Sequence, residues 1–177
     1  MKIVQINQVS GYGSTGHIVE DISAMLCDKG VDNRIYYGLG QTKNVNAVRF
    51  ETDAQLKMHK LYSRLTGRHG FASKRATENL IQALRKYAPD IIHLHNLHGF
   101  YINLPLLFSY IKEADIPVVW TLHDCWAFTG HCAHFDHAKC AKWKTGCGRC
   151  PQRFEYPRAL IDASAVNFSV KKKLFTG

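Results

Sequence analysis

Short apolar runs alternate along this chain with longer segments of helical period. Ile3, Val4 and Ile6 predict a buried first strand. Gln5 and the polar residues Asn7 to Ser10 lead from it into a glycine-rich turn, Gly11-Tyr12-Gly13-Ser14-Thr15-Gly16. A helix is expected from about His17 to Lys29, with Ile18, Ile22, Met25 and Leu26 on one face and Gly30 closing it. Arg34 to Tyr37 reads as a second strand and Val45 to Phe50 as a weaker third. A basic amphipathic helix is predicted over Ala54–Leu65. Met58, Leu61, Tyr62 and Leu65 form its apolar stripe, beside a cationic stripe of Lys57, Lys60 and Arg64. The next helix, Lys74–Tyr87, should bury Ala76, Leu80, Ile81 and Leu84. A fourth strand (Ile91–His95), a helix (Leu104–Glu113) and a fifth strand (Val118–Leu122) follow. Strands alternating with helices predict an α/β chain with a doubly wound parallel sheet. Right-handed crossovers would bring all strand C-termini to one edge, where such sheets bind ligands.

Charge adds a direction to this picture. The formal net charge is +9 over 177 residues, which suits an anionic partner. The cations of residues 54–75 fit lipid headgroups or a lipid-linked diphosphate, or form an ordinary solvated face. Aromatic residues are not interleaved among them as a stacking platform, so nucleic acid is not expected. The most apolar run, Tyr101 to Ile111, is too short to span a membrane. The N-terminus is already a strand and no signal peptide is visible, so a cytoplasmic setting is expected.

Three segments carry candidate chemistry at the ligand-binding edge. The first is the glycine-rich turn, which matches G-x-G-x-x-G and would offer free N–H groups to an anion; Ser14 and Thr15 also serve as ordinary helix caps. A dinucleotide site requires an acid about twenty residues on, and the second strand ends instead in Tyr36-Tyr37-Gly38. A Walker loop is excluded because no G-K-[ST] follows. The second segment is His95, Asn96 and His98 after strand four. The third is His123-Asp124 after strand five, where an imidazole can donate to a sugar hydroxyl. Asp124 either orients that ring, receives a hydroxyl proton or caps the next turn. His93 alternates with Ile92 and Leu94 and reads as a satisfied core histidine.

A cysteine-rich insert (125–157) interrupts the pattern, with Cys132, Cys140, Cys147 and Cys150 spaced C-x7-C-x6-C-x2-C. Four thiolates would make a closed structural zinc site and supply order to a segment too polar to build a core. Two disulfides or free thiols are the alternatives, and His131, His134 or His137 are possible replacement ligands. Cys27 reads as a small core residue. A catalytic metal is not expected, because four sulfurs leave no open position.

Taken together, Gly13-Ser14-Thr15-Gly16-His17, Asp90 to Asn96, Leu122 to Cys132 and Trp143 to Gln152 resemble family 4 glycosyltransferases of the GT-B fold. The likeness covers nearly the whole chain. It implies a single Rossmann-like N-terminal domain (1–177) that holds the acceptor. A C-terminal domain carrying the E-x7-E signature would hold the nucleotide-sugar, and neither it nor the signature is in this sequence. It implies retaining transfer to a glycan or lipid-linked acceptor by the full-length enzyme, with this half inactive alone and at most peripheral at the inner membrane face. By position, Gly13 to His17 would face the donor diphosphate and His123 the donor sugar. His95, Asn96, His98, Lys57, Lys60 and Arg64 would lie near the acceptor. From another class, a zinc-stabilised module for an anionic glycolipid or nucleic acid is the competing reading.

Overall fold

The computed structural model describes residues 1–176. Five parallel strands form one sheet in the order β3-β2-β1-β4-β5. They are β1 (Lys2–Val9), β2 (Asp32–Leu39), β3 (Ala47–Arg49), β4 (Ile91–Leu94) and β5 (Val118–Trp120). The helices between and after them are α1 (Gly13–Asp28), α2 (Asp53–Thr66), α3 (Lys74–Tyr87), α4 (Leu104–Glu113) and α5 (Ser164–Thr176). The architecture is thus the expected doubly wound α/β fold of Rossmann type. The chain runs outward from β1 through β2 to β3, then returns to build β4 and β5 on the other side. The sheet therefore switches direction between β1 and β4, where crevices open at the strand C-termini.

The two faces of the sheet differ in chemistry. Val4, Ile6, Tyr36, Ile92 and Leu94 point into the main core with Leu80 and Leu84 of α3 and Leu104, Leu107 and Phe108 of α4. The alternate residues of β1 and β2 include buried polar side chains, Gln5, Asn7 and Asn33, beside the buried Ile35 and Tyr37. α1 covers this second face by hydrogen bonding. Its Val19 carbonyl accepts from Gln5 Nε2 at 2.9 Å, and Ser23 Oγ bonds Asn33 Oδ1. Burying amides costs free energy unless each finds a partner, and α1 supplies them.

That arrangement overturns two expected helix faces. α1 meets the sheet through Gly16, Val19 and Ser23, while Ile18 and Met25 face solvent. Cys27 is exposed rather than in the core. In α2 the buried residues are Leu56, His59 and Ser63. The predicted core stripe of Met58, Leu61, Tyr62 and Leu65 is 67, 52, 40 and 49% exposed. Apolar spacing identified the helix correctly and its inner face incorrectly, because histidine and serine fill the inner positions. A capping box between Thr52 and Gln55 starts α2, and Gly67 in a left-handed conformation stops it.

The segment after β5 has little regular structure, and metal does not organise it. Among the described residues no group of three or more His, Cys, Asp or Glu side chains is arranged to hold an ion. Cys132, Cys140, Cys147 and Cys150 are all unpaired thiols. The expectation of a structural zinc is therefore corrected. Order comes instead from packing and hydrogen bonds. Phe128, Phe135 and Trp143 form an aromatic cluster with centroids 5.0–6.2 Å apart. Trp126 is buried in the main core, and its carbonyl accepts from the buried Lys171 Nζ of α5. Asp162 accepts from the Cys150 amide at 2.7 Å and from the Ser164 amide at 2.9 Å. At Gly130 a Cβ would fall 2.1 Å from the Ser164 carbonyl oxygen, so insert and helix touch backbone to backbone.

Several imidazoles are locked inside this framework. Burial is the chief reason that His59 and His131 are held down to about 4, and His69 and His95 to about 3. The unfolded chain would protonate them near 6.5. Their share of stability is complete above that pH and is lost as pH falls toward 4. Each imidazole removes about 1.4 kcal/mol per pH unit. Glu51 acts in the opposite sense. Burial outweighs its Ser73 hydrogen bond and Arg49, and its carboxyl rises to about 7, so its contribution fades as pH rises from 4.5 through 7. One carboxyl opposes four imidazoles. The melting temperature is expected to fall steadily between pH 6.5 and 4.5; a flat profile across that range would show that these rings are not neutral in the fold.

Candidate functional site

Because every strand pair is parallel, the turn after β1 and the segments after β4 and β5 emerge at one edge. β1 and β5 flank β4, so their ends lie about 10 Å apart at ordinary strand spacing. The glycine-rich turn and His123 therefore share a rim.

At the first end, the glycine-rich segment is the opening of α1 itself. Gly11 and Gly13 adopt left-handed φ angles of 65° and 64°. A Cβ on Gly11 would meet Glu20 and Thr42 oxygens at 2.9 Å. The helix starts at Gly13, with no side-chain cap and no acid in its first turn. The N–H groups of the Gly13-Ser14-Thr15-Gly16-His17 turn thus have no side-chain cap, and Glu20 beside Gly11 is the carboxylate nearest the positive pole of the helix. Thr15 Oγ1 accepts from Asn7 Nδ2 at 3.4 Å, while Gly13, Ser14 and His17 are exposed.

At the second and third ends the imidazoles stack. His93, His95 and His123 form a ladder with centroid separations of 4.1 and 5.3 Å. The hydrogen bonds of this ladder fix proton positions. Gln5 Nε2 donates to the Val19 carbonyl, so Gln5 Oε1 is left to accept. It accepts from His95 Nε2 at 3.2 Å. Neutral His95 then has a bare Nδ1, which accepts from His123 Nε2 at 3.1 Å. His123 is held below its usual range chiefly by burial, with nearby His98 adding to the effect and Asp124 opposing it. The neutral ring presents an unprotonated Nδ1 with no partner among the described residues. In that tautomer the free nitrogen accepts, where the sequence predicts a ring that donates to a sugar hydroxyl. His95 is 1% exposed, its ring held between Gln5 and His123.

Asp124 serves a different ring. Its Oδ2 lies 2.5 Å from His98 Nε2, and its Oδ1 accepts from the Trp126 amide at 2.8 Å. Burial pushes this carboxyl up, but the His98 and Trp126 contacts prevail and hold it below the usual carboxylate range. It caps the turn and orients an imidazole at once, and the imidazole is His98 rather than His123. With Nε2–H given to Asp124, His98 Nδ1 is hydrogen-bonded to the Tyr156 hydroxyl at 3.0 Å. Asn96 is half-buried, its amide donating to Asn7 Oδ1. The space enclosed by His95, His98, His123, Asp124 and Trp126 is only about 10 Å³, so a ligand can reach His123 only from the open side.

Beside this cluster the rim opens into two cavities. One of about 390 Å³ is lined by Gln8, Leu39, Asp53, Leu56, Lys57 and Lys60, with Gly99, Phe100 and Tyr156. The other, about 290 Å³, lies among Lys60, Arg64, Phe154, Arg158 and the same Phe100 and Tyr156. Lys57, Lys60 and Arg64 are thus gathered into one groove. Gln5, Tyr156 and Phe100 were not singled out in the sequence. Gln5 had a signal, being a polar residue set among Ile3, Val4 and Ile6 of the first strand; Tyr156 had none.

The fold agrees with what the chain is similar to. Residues 16–157 match the family model described as Glycosyltransferase Family 4. The chain is 28% identical over 193 residues to WcaC of Escherichia coli (strain K12), a protein provisionally named as a colanic acid biosynthesis glycosyl transferase. That match takes in 99% of this chain and 45% of the relative, so the chain spans less than half of the curated protein it matches.

The proton chain is directly measurable. In ¹⁵N spectra at pH 8, His123 Nδ1 is expected at the shift of an unprotonated ring nitrogen and Nε2 at that of a protonated one. Gln5→Leu should return both toward averaged values. Averaged shifts in the parent protein would refute the relay.

Proposed function

Since this chain belongs to glycosyltransferase family 4, we propose that it is the acceptor-side domain of a retaining enzyme. That enzyme moves a sugar from a nucleotide-sugar to a hydroxyl of a glycan or lipid-linked acceptor. A second domain, which the relative's greater length accommodates, would close over the rim and hold the nucleotide. The single observation that carries this reading is the shared edge, where an uncapped helix N-terminus and a neutral histidine acceptor stand one strand apart.

Each part has a task in such a transfer. The first turn of α1, Gly13 to His17, faces the donor diphosphate, where backbone N–H groups stabilise the charge that develops as the sugar–phosphate bond breaks. His123 Nδ1 accepts a hydroxyl of the donor sugar and fixes the ring near the reacting carbon. Asp124 acts through His98 and Tyr156 on the wall of the groove. The groove of Lys57, Lys60 and Arg64 receives the acceptor, and basic groups of the second domain share the diphosphate charge. No helix among the described residues is long and apolar enough to cross a membrane. The outward stripe of Met58, Leu61, Tyr62 and Leu65, flanked by those cations, suits peripheral contact with an anionic bilayer.

The test is transfer by the full-length protein carrying His123→Ala. Loss of one positioned hydrogen-bonding group is expected to lower kcat by about 100-fold, with the melting temperature within a few degrees of the parent. Unchanged turnover would remove His123 from the reaction.

A further inference from the structure

Tyr156 stands between the two cavities and lines both. Its hydroxyl is held by His98, and its ring packs edge-on to His98 and Phe100 at 5.6 and 6.4 Å. It is therefore a fixed partition. The compartments it separates differ in charge. The one nearer the strand ends holds Lys57 and Lys60 together with the Asp53 carboxylate and the Gln8 amide. The farther one holds Lys60, Arg64 and Arg158 against a single acid, Glu155. None of these three cations is in an ion pair among the described residues. The aromatic side chains Phe100, Phe154 and Tyr156 complete its walls. The Leu160 amide donates to the carbonyl of Arg64, which brings the exposed Leu160 and Ile161 near the exposed Leu65 that follows Arg64 on α2.

We propose that the farther compartment is a phosphate subsite, occupied by a phosphate ester at the non-reacting end of the acceptor. The reacting sugar then lies on the near side of Tyr156, below the rim. This rests on the acceptor-side reading above and gives that acceptor a chemical class and a direction. Two guanidinium groups and an ammonium, unpaired and around one aromatic-walled space, match a phosphate in charge and in forked geometry. The exposed apolar group of Leu65, Leu160 and Ile161 next to Arg64 points to an ester whose other arm is hydrocarbon.

Calorimetric titration of the full-length protein with geranyl phosphate, phenyl phosphate and geraniol tests the subsite without any transfer step. Geranyl phosphate is expected to bind at least about tenfold more tightly than geraniol. The Arg64→Gln/Arg158→Gln double variant should erase that difference, and Lys86→Gln on α3, outside the groove, should keep it. Both substituted arginines are exposed, so the fold is not at risk. Tighter binding of geranyl than of phenyl phosphate would identify a lipid-linked ester; equal binding would support the subsite and assign it to a soluble phosphate. Equal affinity for geranyl phosphate and geraniol, or a double variant indistinguishable from the parent, would overturn the proposal. Failure of sugar transfer with these phosphate differences intact would count against the enzyme reading and leave the subsite standing.

Discussion

A glutamine in the middle of a buried strand has to be satisfied on both ends of its amide, and much of this molecule follows from how Gln5 achieves that. Its nitrogen reaches the Val19 carbonyl and so docks α1; its oxygen accepts a hydrogen bond from His95 Nε2–H and so polarises the imidazole ladder in one direction. The helix whose N-terminus faces the rim and the histidine that faces the same rim are thus referenced to one side chain. A leucine at this position would pack on the sheet, but it would neither seat the helix backbone nor orient a ring.

The legible parts of the fold were those set by local pattern. The bounds of α3 and α4 follow from apolar period, and the common edge follows from strand–helix alternation alone. What the pattern missed were faces. Met58, Leu61, Tyr62 and Leu65 have the spacing of a core stripe, yet α2 turns them outward because His59 and Ser63 find polar partners inside. Period reports that a helix has two sides; it does not report which one is buried when the interior itself is polar.

For the site, the sequence offered a place and little about pairing. His123, Asp124 and the turn at Gly13 were singled out because strand ends are where parallel sheets bind. The pairing of Asp124 with His98, and the exposed lone pair of His123, depend on contacts between segments 25 or more residues apart, which spacing cannot encode. The cysteines are the converse case. Their intervals invite a tetrahedral ion, but an aromatic cluster and a buried ammonium already order that stretch of chain.

The contact between Gly130 and the start of α5 carries one more consequence. Backbone pressed on backbone leaves no compliant side chain between them, so a tilt of the last helix is transmitted undamped to the loop that begins at Asp124. Any body attached beyond that helix would have a mechanical handle on the rim.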